Sequence, residues 1–195
     1  MNQPKKTFSY AAFFIICLLG LTASVAQTPP NKQSEPSFDI VLQTVTASND
    51  AVGKSELPTS LAGIVKKLKT DFPFSAYRLT STYMQRVNNR GNLESKSVSY
   101  ASEEDKNYPV FSDWSLNGVE FLLDEKGQET IQVQRFRFGQ RVPVFNPSSA
   151  VNYESVGLTT EFGLVKNTPT VIGSVTTSKP DELMFLILTV KSAEK

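Results

Sequence analysis

The sequence contains no histidine and only one cysteine, Cys17, among its 195 residues. Cys17 lies near the amino terminus, in a segment that we expect to be removed. The mature chain would then have no disulfide bond, no thiol nucleophile and no histidine or cysteine ligand for a metal. These absences exclude a Ser-His-Asp triad and a Cys-His dyad. We therefore predict no catalytic residue, no metal site and no cofactor.

The chain also lacks an excess of charge of either sign. It has 20 basic and 19 acidic residues, and 18 basic residues remain once Lys5 and Lys6 of the leader are set aside. A near-neutral chain has no general attraction to nucleic acid or anionic lipid. Two arginines alternate with two phenylalanines over residues 135–138, a pattern also found in proteins that bind single-stranded nucleic acid. The neutral charge favours instead a strand with one solvated and one buried face, and no nucleic-acid partner.

Residues 1–26 have the features of a secretory signal peptide. Two lysines precede an apolar stretch over 11–21, and Ala26 ends a run of small residues before the predicted cleavage point at Gln27. One alternative is a retained membrane anchor, although the apolar stretch is short compared with the roughly 20 residues of a membrane helix. The other is a lipoprotein signal acylated at Cys17. We expect export to the periplasm or the outer membrane, or secretion.

A linker and a small α/β unit follow the leader. Residues 27–37 are polar and rich in proline, which predicts an extended linker. Residues 38–101 are predicted to form a small α/β unit whose sheet packs one face on a helix. Hydrophobic periodicity gives its elements: a strand over 38–45, a helix over 58–71, a strand over 76–87, a hairpin turn over 88–92 and a strand over 93–101.

Residues 102–195 are predicted to form a second, β-rich domain. Its first part, 102–113, is interpreted as a loop whose acidic cluster at 103–105 lacks the ligand spacing of an EF-hand, so a solvated loop is favoured over a Ca²⁺ site. Alternating strands follow from residue 116 onward. The predicted fold class is α+β, mostly β: an N-terminal β-α-β-β unit followed by an antiparallel β-sheet or sandwich.

The closing strand over 183–190 is apolar at nearly every position. Such a strand needs cover on both faces, which is typical of a central strand in a sandwich core. The alternative is a face that is exposed in the monomer and used in subunit assembly. The run is too short to cross a bilayer as a helix.

Four segments of the last third resemble a known family in the order in which they occur. The first has Gly139, Val142 and Pro143 in the pattern G-x-x-V/I-P. The second segment, 151–158, contains Gly157, and the third, 165–173, ends at Gly173. The fourth begins at Glu182 and Leu183 and extends to Thr189. Together they resemble the core domain of bacterial secretins, the outer-membrane ring channels of type II secretion and type IV pilus systems.

The resemblance implies a role in assembly. Related proteins act through strand edges and ring interfaces, so the implied partners are other proteins or further copies of the chain, with possible outer-membrane association. The interval between the first two segments is too short for the long hairpins of a full secretin. The resemblance therefore implies a shortened secretin-like core and does not imply a channel.

Three hypotheses follow for the function. The first is an exported, non-catalytic component of the cell envelope that takes part in secretion or pilus assembly. The second is a monomeric periplasmic or secreted binding module with its ligand near Trp114, Tyr108 and the acidic loop. The third, which we disfavour, is an enzyme that uses only carboxylates. The available carboxylates are Glu120, Asp124, Glu154 and Glu161.

Overall fold

The computed structural model of the protein describes residues 36–49, 57–100, 108–123, 125, 127–145, 151–177, 179 and 181–193. All of these belong to one packing unit, Glu35–Lys195. The predicted signal peptide with its cleavage point at Ala26 and Gln27, most of the predicted linker, the acidic cluster and Asp124 lie outside the described residues.

The described residues form eight strands and one short helix. The helix is preceded by a 3-10 turn, Thr59–Leu61. The elements in chain order are β1 (Ser37–Ser48), α1 (Ala62–Asp71), β2 (Ala76–Asn88), β3 (Leu93–Tyr100), β4 (Pro109–Leu123), β5 (Glu129–Phe145), β6 (Val151–Val165), β7 (Thr170–Thr176) and β8 (Glu182–Ser192).

The strands form two antiparallel four-stranded sheets. Sheet A has the order β2-β1-β8-β7, and sheet B has the order β3-β4-β5-β6. The predicted fold class, α+β and mostly β, is confirmed.

The main hydrophobic core lies between the two sheets, which therefore form a sandwich. Fully burying a large aliphatic side chain contributes about 1.5–3 kcal/mol, so this core holds the fold without disulfide bonds. Its buried residues come from both sheets: Phe38, Ile40, Leu42, Val87, Trp114, Leu116, Val119, Ile131, Val133, Phe136, Phe138, Leu164, Val175, Met184, Leu186, Leu188 and Val190.

The helix α1 covers part of the outer face of sheet A. Its apolar side chains recur every three or four residues, as the sequence pattern predicts. Leu61, Val65 and Leu68 are buried in a second cluster that includes Tyr77 of β2 and Ile187 of β8. The predicted packing of the sheet on the helix is therefore observed.

β8 is buried on both faces. It lies between β1 and β7 in sheet A. Leu186 points into the sandwich and its neighbour Ile187 points toward α1, and both are fully buried. The prediction of a central strand with cover on both faces is confirmed. The alternative of an exposed face is wrong, because α1 supplies the second cover.

The turn after β2 is not the predicted hairpin turn. β2 belongs to sheet A and β3 to sheet B, so the two strands do not pair. The N–H of Arg90 donates to the carbonyl oxygen of Val119 in β4 at 2.7 Å, and the N–H of Asn89 donates to that of Pro36 at 2.8 Å. Distant segments therefore satisfy the backbone of this turn, and its local sequence does not reveal them. The turn between β6 and β7 crosses between the sheets in the same way.

The two predicted units, 38–101 and 102–195, share sheet A. β1 from the first lies between β2 and β8 and pairs antiparallel with both. Ile40, for example, is opposite Gln85 on one side and Val190 on the other. Interior positions for β1 and β8 satisfy the backbone groups on both of their edges. The expected boundary at residues 101 and 102 therefore does not separate two packing units.

A register shift in β5 changes the predicted distribution of its side chains. Strict alternation predicts that Val133 shares the face of Arg135 and Arg137. The register with β6 shifts between Val133 and Phe136, and both Gln134 and Arg135 are exposed. Val133 and Phe136 are both buried in the sandwich. Burial of the apolar side chains thus overrides the alternation.

β4 begins earlier than predicted, within the segment 102–113 that was expected to be a loop. The strand starts at Pro109, and its buried face includes Ser112 and Trp114. The hydroxyl of Ser112 accepts a hydrogen bond from Nε2 of Gln140 at 2.9 Å. A buried serine with a partner is well tolerated, but it interrupts the apolar pattern by which the strand could have been recognised.

Candidate functional site

The outer face of sheet B contains two adjoining shallow depressions. Their volumes are about 440 Å³ and about 590 Å³. They share three charged residues, Asp113 of β4 and Arg137 and Arg141 of β5. We call this region the arginine trough and define it by Asp113, Arg137, Gly139, Arg141 and Gly157.

β5 presents the two arginines because its opposite face is buried. Phe136 and Phe138 lie in the sandwich core, so Arg137 between them points outward. Side chains two residues apart share a face of a strand, which places Gly139 and Arg141 on the same side. The Cα atoms of the two arginines are four residues apart, or about 14 Å at the usual rise of a strand.

Two glycines on neighbouring strands form the floor of the trough. Gly139 lies directly opposite Gly157 of β6 and, on its other side, Asp113 of β4. A β-carbon at Gly157 would collide with the carbonyl oxygen of Phe138. Only glycine therefore allows β6 to approach β5 this closely. Neither glycine adds a side chain between the two arginines, and the carboxylate of Asp113 lies against Gly139, with Oδ1 3.0 Å from where a β-carbon would stand.

An aromatic cluster borders the trough at one end. The guanidinium of Arg141 lies 5.0 Å from the ring centre of Phe111 and 5.9 Å from that of Tyr153. The two rings are 5.7 Å apart. Cation–π contacts of this kind contribute roughly 0.5–1 kcal/mol each at exposed sites. They orient Arg141 while leaving its hydrogen-bond donors accessible.

The charges in the trough are not paired with one another. Among the described residues, the side chains of Asp113 and Arg137 form no ion pair. Lys96 lies opposite Asp113 on β3, but its Nζ is 3.1 Å from a carboxylate oxygen of Glu94. Guanidinium groups bind carboxylate, sulfate and phosphate through pairs of parallel hydrogen bonds. The trough can therefore accept an anionic or polar group from outside.

Three ionisable groups of sheet A have shifted pKa values. The hydrogen bond from Arg86 holds the pKa of Asp39 below its ordinary value against the opposing effect of burial, and the same bond raises the pKa of Arg86. Burial raises the pKa of Tyr77, whose hydroxyl donates to the carbonyl oxygen of Phe72 at 2.6 Å. None of these residues belongs to the trough, and their contacts stabilise the fold.

In the described part of the chain, no hydrogen bond joins any two of the carboxylates that were considered for catalysis, and Asp124 lies outside that part. Glu154 and Glu161 are seven residues apart on β6, or about 24 Å in an extended strand. Glu120 lies on β4 with its carboxylate 3.6 Å from Arg90. In the part of the chain that the structure describes, no three carboxylate, histidine or cysteine side chains are grouped in a way that could hold a metal ion.

Trp114 cannot form the ligand site proposed for a binding module. It is 1% exposed and belongs to the sandwich core, where its ring lies 6.3 Å from that of Tyr83. Its size explains this position, because a large aromatic side chain contributes most when it is fully covered. Tyr108 is partly exposed just before β4. Trp114 therefore does not line a ligand site, and the acidic loop of that hypothesis lies outside the described residues.

The residues of the secretin resemblance lie on two hairpins. In sheet B, Gly139, Val142 and Pro143 of β5 pair with the segment of β6 that contains Gly157. In sheet A, Gly173 of β7 lies on the strand next to the closing strand, which carries Leu183 and Thr189. The structure brings Gly139 and Gly157 together at the trough. It places the residues of β7 and β8 on the other sheet.

Three of the four outermost strands have features that hinder further pairing. β2 has a register shift against β1 and exposed arginines, and β7 has only seven residues and a register shift. β3 presents the charged side chains of Glu94 and Lys96. Bulges, short length and charge are the usual means by which proteins protect sheet edges.

β6 has the least protected edge. Its residues 151–160 pair with β5 without a register shift. Successive side chains of a strand point to opposite faces. The side chains of 152–155 are all exposed, so both faces are accessible here. This part of the strand is therefore largely uncovered on both faces by the described residues, apart from the contact of the Tyr153 ring with Phe111 and Arg141. We call residues 151–160 the β6 edge, and it borders the arginine trough at Gly157.

The sequence pattern did not identify the trough. The alternation of Arg137, Gly139 and Arg141 is visible in the sequence, but the position of Gly157 beside Gly139 depends on the register of β6 against β5. Asp113 lies in a segment that was interpreted as a loop. Only a search for arginines spaced around a glycine on one strand face would have singled out this region.

No protein-family model matches the chain. No curated protein matches its sequence. Among the described residues there is no helix of the length and apolar character needed to cross a membrane. The secretin resemblance therefore stays a hypothesis that depends on the four segments.

Proposed function

We propose that the protein is an exported, non-catalytic component of the cell envelope that assembles by pairing its β6 edge with a strand of a partner. The observation that supports this function is the β6 edge itself. It combines a regular register, exposure of residues 152–155 on both faces and a neighbouring trough.

Strand addition suits this geometry. A partner strand would satisfy the outward N–H and C=O groups of β6, which supplies affinity that does not depend on the partner's sequence. Its alternate side chains would lie on the outer face of sheet B beside Gly157, at the opening of the trough. Arg137 and Arg141 flank that position, so the trough would select which side chain fits.

Two features of the sequence support placing this assembly in the envelope. Residues 1–26 have the pattern of a secretory leader, and the four segments over β5 to β8 resemble the secretin core. Export would bring the chain to the compartment in which secretins assemble. Outer-membrane association and a role in secretion or pilus assembly belong to this proposal.

The test compares two lysine substitutions on opposite edges of sheet B. Tyr153→Lys puts a charge on the β6 edge, and Val98→Lys is the matched control on β3, where Val98 is 57% exposed. The full-length chain is expressed with its leader, and its native mass is measured after cross-linking in the envelope fraction. We expect assemblies larger than one chain for the wild type and Val98→Lys, and their loss in Tyr153→Lys.

A wild-type protein that stays a monomer outside the envelope fraction would contradict the proposed function. Equal loss of assembly in both variants would show that β6 is not the contact.

A second candidate function is the binding of a small anionic ligand in the arginine trough by a monomer. The guanidinium of Arg137, which forms no ion pair among the described residues, favours it. Titration calorimetry with inorganic phosphate and with a sulfated oligosaccharide would detect such binding. Saturable heat that disappears in Arg137→Ala, together with a monomeric wild type, would favour this function over assembly.

A further inference from the structure

We propose that the partner at the β6 edge is a second copy of the same chain, paired antiparallel about a two-fold axis at Ser155. This inference rests on the proposed function and names its partner. The two copies would join their B sheets into one continuous sheet of eight strands.

The register follows from two features of one edge. Tyr153 is the large side chain on the outer face of β6, and it is 39% exposed. Gly157 is the gap on the same face, four residues further along. A two-fold axis through Ser155, midway between them, makes Tyr153 of each copy lie opposite Gly157 of the other. The projection and the gap are therefore complementary in a single register.

The chemistry of the trough suits a tyrosine ring. A ring above Gly157 would lie beside Gly139 and meet the carboxylate of Asp113, whose Oδ1 is 3.0 Å from where a β-carbon of Gly139 would stand. The guanidinium groups of Arg137 and Arg141 lie on either side and would contact the ring face or its hydroxyl. In the single chain the ring of Tyr153 lies against its own Arg141 at 5.9 Å and Phe111 at 5.7 Å, so pairing would move it from that cluster to the equivalent arginines of the other copy. An aromatic ring that covers a glycine across a strand pair is also a known means of fixing register.

The remaining opposed residues are compatible with this register. Glu154 would lie opposite Val156, and Val151 would lie opposite Thr159. Like charges directly opposite each other destabilise a strand pair, and this register places none between residues 151 and 159. In contrast, β3 presents Glu94 and Lys96 on its outer face, and its exposed outer side chains are not arranged around a glycine.

The first experiment uses a single cysteine at the axis. In a full-length chain that also carries Cys17→Ser, Ser155→Cys provides the only thiol. Opposed Cα atoms in an antiparallel pair are about 4.5–5.5 Å apart, within the range that a disulfide bridges. We expect mild oxidation to give a disulfide-linked dimer of twice the mass as the main product.

Thr159→Cys in the same background is the matched control. It is exposed on the same face of the same strand, but the two copies of residue 159 would be about 27 Å apart. We expect this variant to stay monomeric under the same oxidation. Equal cross-linking of both cysteines would overturn the proposed register.

The second experiment uses charge at the axis. Ser155→Glu alone and Ser155→Lys alone place like charges opposite each other, so each should be monomeric by sedimentation velocity. Their equimolar mixture places opposite charges together and should restore dimers that contain one chain of each kind. Dimers of each variant alone, or no dimers in the mixture, would overturn the inference.

The two proposals fail in different ways. If the wild-type chain forms envelope assemblies that Tyr153→Lys abolishes, but Ser155→Cys gives no linked dimer, the partner is another protein and only the inference fails. If no assembly forms at all, the proposed function fails as well.

Discussion

The two-sided burial of β8 leads to a prediction about the helix α1. Ile187 is fully buried against α1, whereas Val171, directly opposite it on β7, is 37% exposed. We predict that Ile187→Ala destabilises the protein strongly and that Val171→Ala does so only weakly. Both substitutions lie on the same face of sheet A, so they differ mainly in their cover.

The magnitude follows from the atoms that are lost. Replacing isoleucine by alanine removes three carbons, worth about 2.4 kcal/mol of transfer free energy at roughly 0.8 kcal/mol each. The cavity under α1 adds a further cost, which places Ile187→Ala at about 2–5 kcal/mol. Val171→Ala should cost about 1 kcal/mol or less, because much of its side chain is already solvated.

Urea unfolding of the purified protein measures both values. Trp114 is the only tryptophan and is buried in the sandwich, so its fluorescence reports the loss of the core. With a slope of about 2 kcal/mol per molar urea, Ile187→Ala should lower the midpoint by about 1–2.5 M. A shift no larger than that of Val171→Ala would refute the reasoning, because it would mean that α1 does not cover β8.

Three further predictions concern other sites. The pKa of Asp39 is lowered in the folded state. The ionised Asp39 carboxylate therefore stabilises the protein above the ordinary pKa of aspartate, and this stabilisation is lost as the pH falls through the pKa of the folded state. In Asp39→Asn the urea midpoint should therefore fall less steeply between about pH 5 and pH 2 than in the wild type. Trp114→Phe should lower the free energy of unfolding, followed by circular dichroism, by less than about 2 kcal/mol, because it removes a buried indole N–H that has no partner among the described residues. A decrease of about 3–5 kcal/mol, typical of truncating a large core residue, would contradict this prediction. Gly157→Ala should lower the melting temperature by several degrees because its β-carbon would meet the carbonyl oxygen of Phe138, and an unchanged melting temperature would show that β6 can move away.

The sequence by itself determined the secondary structure and the most buried strand. Alternation of apolar and polar residues is a local property, and it located the helix, the strands β1 to β3 and the closing strand β8 to within a few residues, but it missed the start of β4. The apolar run over 183–190 required two covers wherever the strand was placed. These features need no knowledge of the partner elements.

Only the tertiary structure decided which elements meet. The turn over 88–92 has the residues of a hairpin, but the hydrogen bonds of Asn89 and Arg90 are made to distant segments and carry the chain to the other sheet. The register shift between Val133 and Phe136 likewise appears only when β5 is packed in the sandwich. Pairing order and register depend on contacts between residues far apart in the sequence, which no local pattern records.

The candidate site shows the same division. The arginines that alternate with Gly139 on β5 could be read from the sequence as an exposed strand face. Their proximity to Gly157, Asp113 and Tyr153 depends on the register of three strands. The β6 edge is exposed because β6 is the outermost strand of sheet B. The sequence therefore determined which side chains face outward. The tertiary structure decided that they surround an open trough beside an unprotected strand edge.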